Sequence, residues 1–193
     1  MSKAAATTPI GVARYPRLTE PDTKFDDNGV YSTKLILSEE DYQAYASVLE
    51  PWVEQEYKRF CTEAGKDSLR RNENTPLRIN SDGEHEVYAK QVAVKQTSKG
   101  QLTFSVTLFD SQGKKINSPP NIGSGSKLRL MVEPVAWFVP AIGFGYTLRL
   151  KAAQVIELVE FTGGGGYSFD AHEGGYVSEN LDESLPDNAE VPF

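Results

Sequence analysis

The chain has 193 residues, an apolar share of 39%, a formal net charge of -7 and a single cysteine. A compact domain runs to roughly 100–150 residues, which excludes two full domains and leaves one domain with appendages. One cysteine excludes an intrachain disulfide or a thiolate metal cluster, and no stretch approaches the roughly 20 apolar residues that span a bilayer. The N-terminus, MSKAAATTPIGV, lacks the apolar core of a secretory signal, so the chain is expected in the cytoplasm without membrane association.

The first clear strand is 31–37, where Tyr31, Thr33, Leu35 and Leu37 alternate with Ser32, Lys34 and Ile36. Ser38 then caps a run in which Tyr42, Tyr45, Leu49, Trp52, Val53, Tyr57 and Phe60 recur at spacings of three and four, the signature of an amphipathic helix. Pro51 falls inside it and predicts a kink or two abutting helices, since proline removes a backbone donor and clashes with the preceding turn. Gly65 ends the helix. Residues 66–74 read as a loop whose bases Lys66, Arg70 and Arg71 are solvated surface.

From Val87 onward the pattern is β. Residues 87–97 and 101–109 flank Ser98-Lys99-Gly100 as a hairpin, with Phe104, Val106 and Leu108 on one face. Residues 127–135 and 146–161 supply two further strands, in which Leu128, Leu130, Leu148 and Leu150 alternate with Lys127, Arg129, Arg149 and Lys151. One face is greasy and the other basic. About five strands with a helix inserted after the first predict a mainly β fold, a five-stranded Greek-key barrel of the OB type.

Gly163 to Gly166 maximise backbone freedom and end the ordered domain, giving 1–162 as the barrel and 163–193 as a glycine-rich linker with a disordered acidic tail. Seven of the 27 acids follow Thr162 while all 20 bases precede it, so the body is balanced and the whole negative excess lies in the tail. A balanced body leaves room for a basic groove. The tail closes on Phe193, which reads as a hook for a partner's pocket.

No catalytic or metal site emerges. His85 and His172 lack His-Glu-x-x-His spacing, and Asp82, Glu84, His85 and Glu86 read as a solvated turn before a strand. Gly123-Ser124-Gly125-Ser126-Lys127 lacks the phosphate-loop frame and leads into a strand, so a flexible barrel loop is expected and Ser124 has no nucleophile setting. What the chain does offer is cations interleaved with flat side chains, the pair of features that hold a single strand of nucleic acid. Lys127, Arg129, Arg149 and Lys151 lie on two strands, with Trp137, Phe138, Phe144 and Tyr146 in the connection between them. Lys90, Lys95 and Lys99 add charge on the preceding hairpin, followed by Lys114 and Lys115.

The stretches Asp110-Ser111-Gln112-Gly113-Lys114-Lys115, then Ile122-Gly123-Ser124-Gly125-Ser126-Lys127-Leu128-Arg129-Leu130, then Val155-Ile156-Glu157-Leu158 running into Gly163, resemble the single-stranded DNA-binding proteins of T7-like bacteriophages. Gly29-Val30-Tyr31 and the following helix match as well. The resemblance implies an OB barrel with a helix between early strands, a homodimer, and no enzymatic activity or cofactor. It places Lys90 and Arg129 as basic DNA contacts, Trp137 as a stacking platform and Lys3 in a basic N-terminus. It also implies work in DNA replication, recombination and repair in the cytoplasm of the infected bacterium.

Tethered at a millimolar-scale effective concentration, the tail with Glu179, Asp182, Glu183, Asp187, Glu190 and Phe193 would compete with DNA for the groove. When displaced it would free Phe193 for a replication partner, which the resemblance implies is the phage DNA polymerase or primase-helicase. The chain departs from the pattern in a less densely acidic tail and in Phe138, where the family places a base. Three alternatives stand beside this reading: a strand-annealing recombination protein, a metal-dependent nuclease using Asp82, Glu84 and Glu86, and an adaptor that binds protein alone.

Overall fold

The computed structural model describes residues 7–161, so Lys3, the glycine run and the acidic tail lie outside the described residues. Within them run β1 (Gly11–Asp22), β2 (Val30–Leu37), α1 (Glu39–Glu63), β3 (Leu77–Ile79), β4 (His85–Val92), β5 (Val94–Thr97), β6 (Gly100–Thr103), β7 (Thr107–Phe109), β8 (Lys127–Val139) and β9 (Gly143–Glu157). The fold is mainly β with one helix, as the alternation predicts, but the strands exceed five and one of them precedes the expected first strand. Pro16 and Pro21 hide β1 from a sequence reading, because proline cannot donate to a ladder. The strand accommodates Pro16 by bulging: its register against β2 shifts between Arg14 and Arg17, and Tyr15 in that shift has φ of 50°.

The larger sheet has the order β3-β4-β2-β1-β8-β9-β7, and β4 also pairs with β9. The hydrogen-bonded path therefore returns on itself through β4, β2, β1, β8 and β9. The link from β4 to β9 is parallel and short, with Ala89 opposite Leu148 and Lys90 opposite Arg149. Inside this circuit Leu35, Val87, Ala89, Leu128, Leu130, Leu148 and Leu150 are no more than 1% exposed. Each fully buried Leu or Val side chain stabilises the fold by about 1.5–3 kcal/mol before conformational entropy is counted.

Helix α1 is one run of 25 residues, and the expected division at Pro51 does not occur. Proline forfeits the bond its N–H would give to Ser47, but the apolar face continues on both sides of it. Tyr45 and Leu49 are buried before Pro51, and after it Tyr57 and Phe60 stand 5.3 and 5.8 Å from the Phe144 ring. Ser38 caps the N-terminus by accepting the Asp41 N–H. The C-terminus closes as predicted at Gly65, whose φ of 63° lets its own N–H reach Thr62 and the Lys66 N–H reach Cys61, a Schellman pair.

Two expected loops are more structured than their composition suggests, and the expected hairpin is shorter. In 66–74, Arg71 is no free cation: it gives two hydrogen bonds to Glu54 at 2.7 and 2.8 Å and lies 3.9 Å over the Tyr57 ring. The Gly123–Lys127 loop is pinned rather than flexible, because buried Ser126 donates to Gly123 at 2.8 Å and accepts the Val159 N–H at 3.0 Å. The predicted long hairpin is broken at Ala93, leaving β5 and β6 as a separate two-stranded sheet that turns through Ser98 and Lys99 alone. No helix among the described residues is long and apolar enough to cross a membrane.

Leu130 is fully buried on the inward face of β8, so Leu130→Ala should cost about 2–5 kcal/mol. Urea denaturation should show a lower midpoint with an unchanged slope.

Candidate nucleic-acid interface

Along β4 every second residue points outward, which sets Tyr88, Lys90 and Val92 in a row against β2. Lys90 makes no ion pair among the described residues, and it lines three clefts. The largest, about 540 Å³, lies between the Asp26 and Asn28 turn, β4 and the β5–β6 hairpin, and it includes Lys95, Phe104 and Arg149. A second, about 280 Å³, lies between residues 72–78 and the far ends of β8 and β9, with Arg78, Tyr88 and Trp137 on its walls. The third, about 250 Å³, runs toward Phe25 and Ser32. Exposed cation and flat rings therefore share one face, with Phe25 89% exposed and the Lys24 ammonium 5.4 Å from its ring.

The aromatics expected in the connection between two strands lie in the strands themselves, because β8 and β9 pair all the way from Lys127 to Val139. Trp137 lies opposite Gly145 and its indole lies across that glycine, where a side-chain carbon would sit 2.5 Å from the ring. Glycine is required there by close approach rather than by backbone angle. Phe138 faces the other way, opposite Phe144, and does not line the cleft that Trp137 lines. Tyr146 shows an edge to the cleft, but it packs on the core and against Trp52. Burial, then the neighbouring Tyr42, pushes its phenol up to about 12, so it remains a neutral hydrogen-bonding group.

The basic face is less free than the alternation of its cations implies. Lys127 pairs with Glu157 at 2.8 Å, while Lys151 and Arg149 share Glu133 at 2.8 and 3.7 Å. The hydrogen bond from Lys151 holds the Glu133 carboxyl below the usual carboxylate range, with desolvation opposing it. Arg129 lines a different cleft of about 220 Å³ with Thr7 and Met131. Of the expected strand residues, the structure thus gathers Lys90, Trp137, Tyr146 and Arg149, and leaves Lys127, Arg129, Phe138 and Lys151 away from those clefts.

Phe25, Tyr88 and Arg78 escaped the sequence reading. Tyr88 was detectable, since it stands two places before Lys90 in an alternating strand. Arg78 was not, because its place is fixed by Glu86, only 2% exposed, which accepts two hydrogen bonds from it at 2.6 and 2.8 Å and pairs with Lys34 at 3.1 Å. Glu86 is therefore a buried charge with two partners rather than part of a solvated turn. Asp82 and Glu84 both pair with Arg14, so all three carboxylates of the nuclease alternative are engaged by cations. Among the described residues no group of three or more His, Cys, Asp or Glu is placed to hold a metal ion.

A family model described as single-stranded DNA-binding protein, bacteriophage T7, matches residues 10–158. The single-stranded DNA-binding protein of Enterobacteria phage T3 is 30% identical over 94% of this chain and 89% of that one. The crystal structure of gp2.5, a single-stranded DNA-binding protein encoded by bacteriophage T7, superposes with a TM-score of 0.70 at 28% identity, covering 89% of this chain and 97% of that one. The single-stranded DNA-binding protein from bacteriophage Enc34, in complex with ssDNA, shares the fold with a TM-score of 0.57 at 11% identity, over 81% and 88% of the two chains.

Gly145→Ala should displace the Trp137 indole and cost about 1–3 kcal/mol by overpacking. In a Trp52→Phe background, the tryptophan emission maximum should shift on this substitution, and an unmoved spectrum would show that the ring does not rest on Gly145.

Proposed function

This chain belongs to the bacteriophage T7 single-stranded DNA-binding protein family, and on that premise we propose that it holds single-stranded DNA without sequence dependence and without enzymatic activity. The observation that carries the reading is Lys90, an unpaired cation among the described residues that joins three clefts whose walls include Tyr88 and Trp137. A cation neutralises phosphate, and flat rings accept any base at roughly 1–3 kcal/mol each. The pairing circuit of β1, β2, β4, β9 and β8 supports an OB-type Greek-key barrel, whose second and third ring strands commonly form the binding face. Here those strands are β2 and β4, the pair that presents Lys90.

Residues 1–162 form the binding domain and 163–193 the linker and tail in this reading. The tail acids Glu179, Asp182, Glu183, Asp187 and Glu190 compete with DNA for the cationic face, and DNA frees Phe193 for the phage DNA polymerase and primase-helicase. Family membership supports that partnership, together with a homodimer, a contribution from Lys3 and a role in replication, recombination and repair in the host cytoplasm. Charge supports the competition: the bases precede residue 152 and the acidic excess follows residue 162.

Fluorescence anisotropy with a single strand and its matching duplex tests the reading. Full-length protein should prefer the single strand, with an affinity that falls steeply with salt. Lys90→Ala should reduce the salt slope by about one, and Trp137→Ala should cost about 1–3 kcal/mol of binding. Truncation to residues 1–179 should tighten binding, and unchanged affinity would remove the competition model. Glu133→Gln, which removes the acid facing Arg149 at the largest of these clefts, should also tighten binding at low salt and lose this advantage as salt rises.

A further inference from the structure

Lys90 has a cationic neighbour across the sheet that none of its three clefts includes. Residues opposite one another on adjacent strands point to the same side. Lys90 lies opposite Ser32 of β2, and Ser32 lies opposite Arg17 of β1. The adjoining Leu18, Thr33 and Ala89 are buried, so Arg17, Ser32 and Lys90 all face outward. Strands stand about 4.8 Å apart, which puts Arg17 about 10 Å from Lys90 along the backbone surface. Arg17 is exposed and has no acid partner among the described residues. It lines a separate cleft of about 110 Å³ with Tyr15, Ser124 and Phe161.

Two rings set this cleft apart from ordinary surface. Tyr15 is 73% exposed and Phe161 is 53% exposed. Tyr15 also has φ of 50°, a conformation that disfavours a side chain and that glycine adopts freely. Its backbone N–H donates to Ser124 Oγ at 3.0 Å, which holds the strained turn in place. The strain is therefore kept for a ring that buries little, and packing in the core does not account for it. The cleft is far smaller than the roughly 300 Å³ that encloses a ligand, so its rings offer a platform rather than a slot.

We propose that a bound single strand crosses β2 from Lys90 and continues onto this second contact site, where Arg17 meets a phosphate and Tyr15 and Phe161 stack on bases. The inference rests on the single-strand-binding reading and gives the strand a path, across the barrel from β4 to β1 rather than along either strand. An unpaired cation beside exposed rings suits nucleic acid. An apolar protein segment on the same spot would bury the guanidinium without a partner.

Fluorescence anisotropy of the full-length protein on oligo-dT tests the path. Arg17→Ala should lower the salt slope by about one, Arg17→Lys should restore it, and Arg17→Ala combined with Lys90→Ala should lower it by about two. Tyr15→Gly should weaken binding about fivefold or more. Its thermal midpoint should be no lower than that of the wild type, because glycine relieves the backbone as the ring is lost. Photocrosslinking of the wild-type protein to a bromodeoxyuridine-substituted strand should mark a peptide containing Tyr15 or Phe161. Wild-type slopes and affinities in Arg17→Ala and Tyr15→Gly, with crosslinks confined to the Lys90 clefts, would overturn the second site while leaving the function intact. Wild-type protein that holds a single strand no better than duplex would overturn the single-strand-binding reading itself.

Discussion

The short parallel contact between β4 and β9 is the constraint on which the rest depends. Two residue pairs make it, Ala89 with Leu148 and Lys90 with Arg149. The first pair turns inward and joins the aliphatic core; the second turns outward and sets two cations side by side. Without this contact β4 would reach the remainder of the sheet only through β2, and the inner faces of β4 and β9 would not bury each other's side chains. Like charges directly opposite on a sheet destabilise it by roughly 0.2–1 kcal/mol. Glu133 offsets part of that by standing 3.7 Å from Arg149, while Lys90, the other member of this pair, has no acid partner among the described residues.

The same pattern of charge recurs around the body. Lys127, Lys151 and Arg14 each lean on an acid from another strand or turn, and Glu86 is buried between Arg78 and Lys34. Surface pairs of this kind contribute about 0–1 kcal/mol each and are screened by salt. Their larger effect is on availability, since a paired cation must release its acid before it can meet a phosphate. Glu86 differs because desolvating a carboxylate is costly unless it is well partnered. Its two cationic partners meet that need, and in return Arg78 is held among the residues that line a cleft.

Much of the local structure was legible in particular residues. Ser38 and Gly65 marked the helix ends, and the alternation of Leu128, Leu130, Leu148 and Leu150 with cations gave the inner and outer faces. Lys90 and Trp137 stood out as candidates, and both line the candidate clefts. Other features were hidden for identifiable reasons. Prolines masked β1, whose bulge is visible only once its partner strand is known. Trp137 and Phe144 looked like loop residues because Pro140, Ile142 and two nearby glycines interrupt the pattern, yet the strand pair extends to Val139 and Gly143. Arg78 did not stand out, because only its contact with buried Glu86 fixes it at the cleft wall.

By itself the sequence determined the helix and its two ends, the strands β2, β8 and β9 in outline with their inward leucines, and where the negative excess lies. These follow from periodicity, capping and composition, all of which act between near neighbours in the chain. Only the tertiary structure decided which cations remain available and which flat rings share a face with them. Pairing depends on what a sheet brings alongside, as when Lys127 meets Glu157 from 30 positions away. A cleft likewise takes its walls from segments that no local pattern connects.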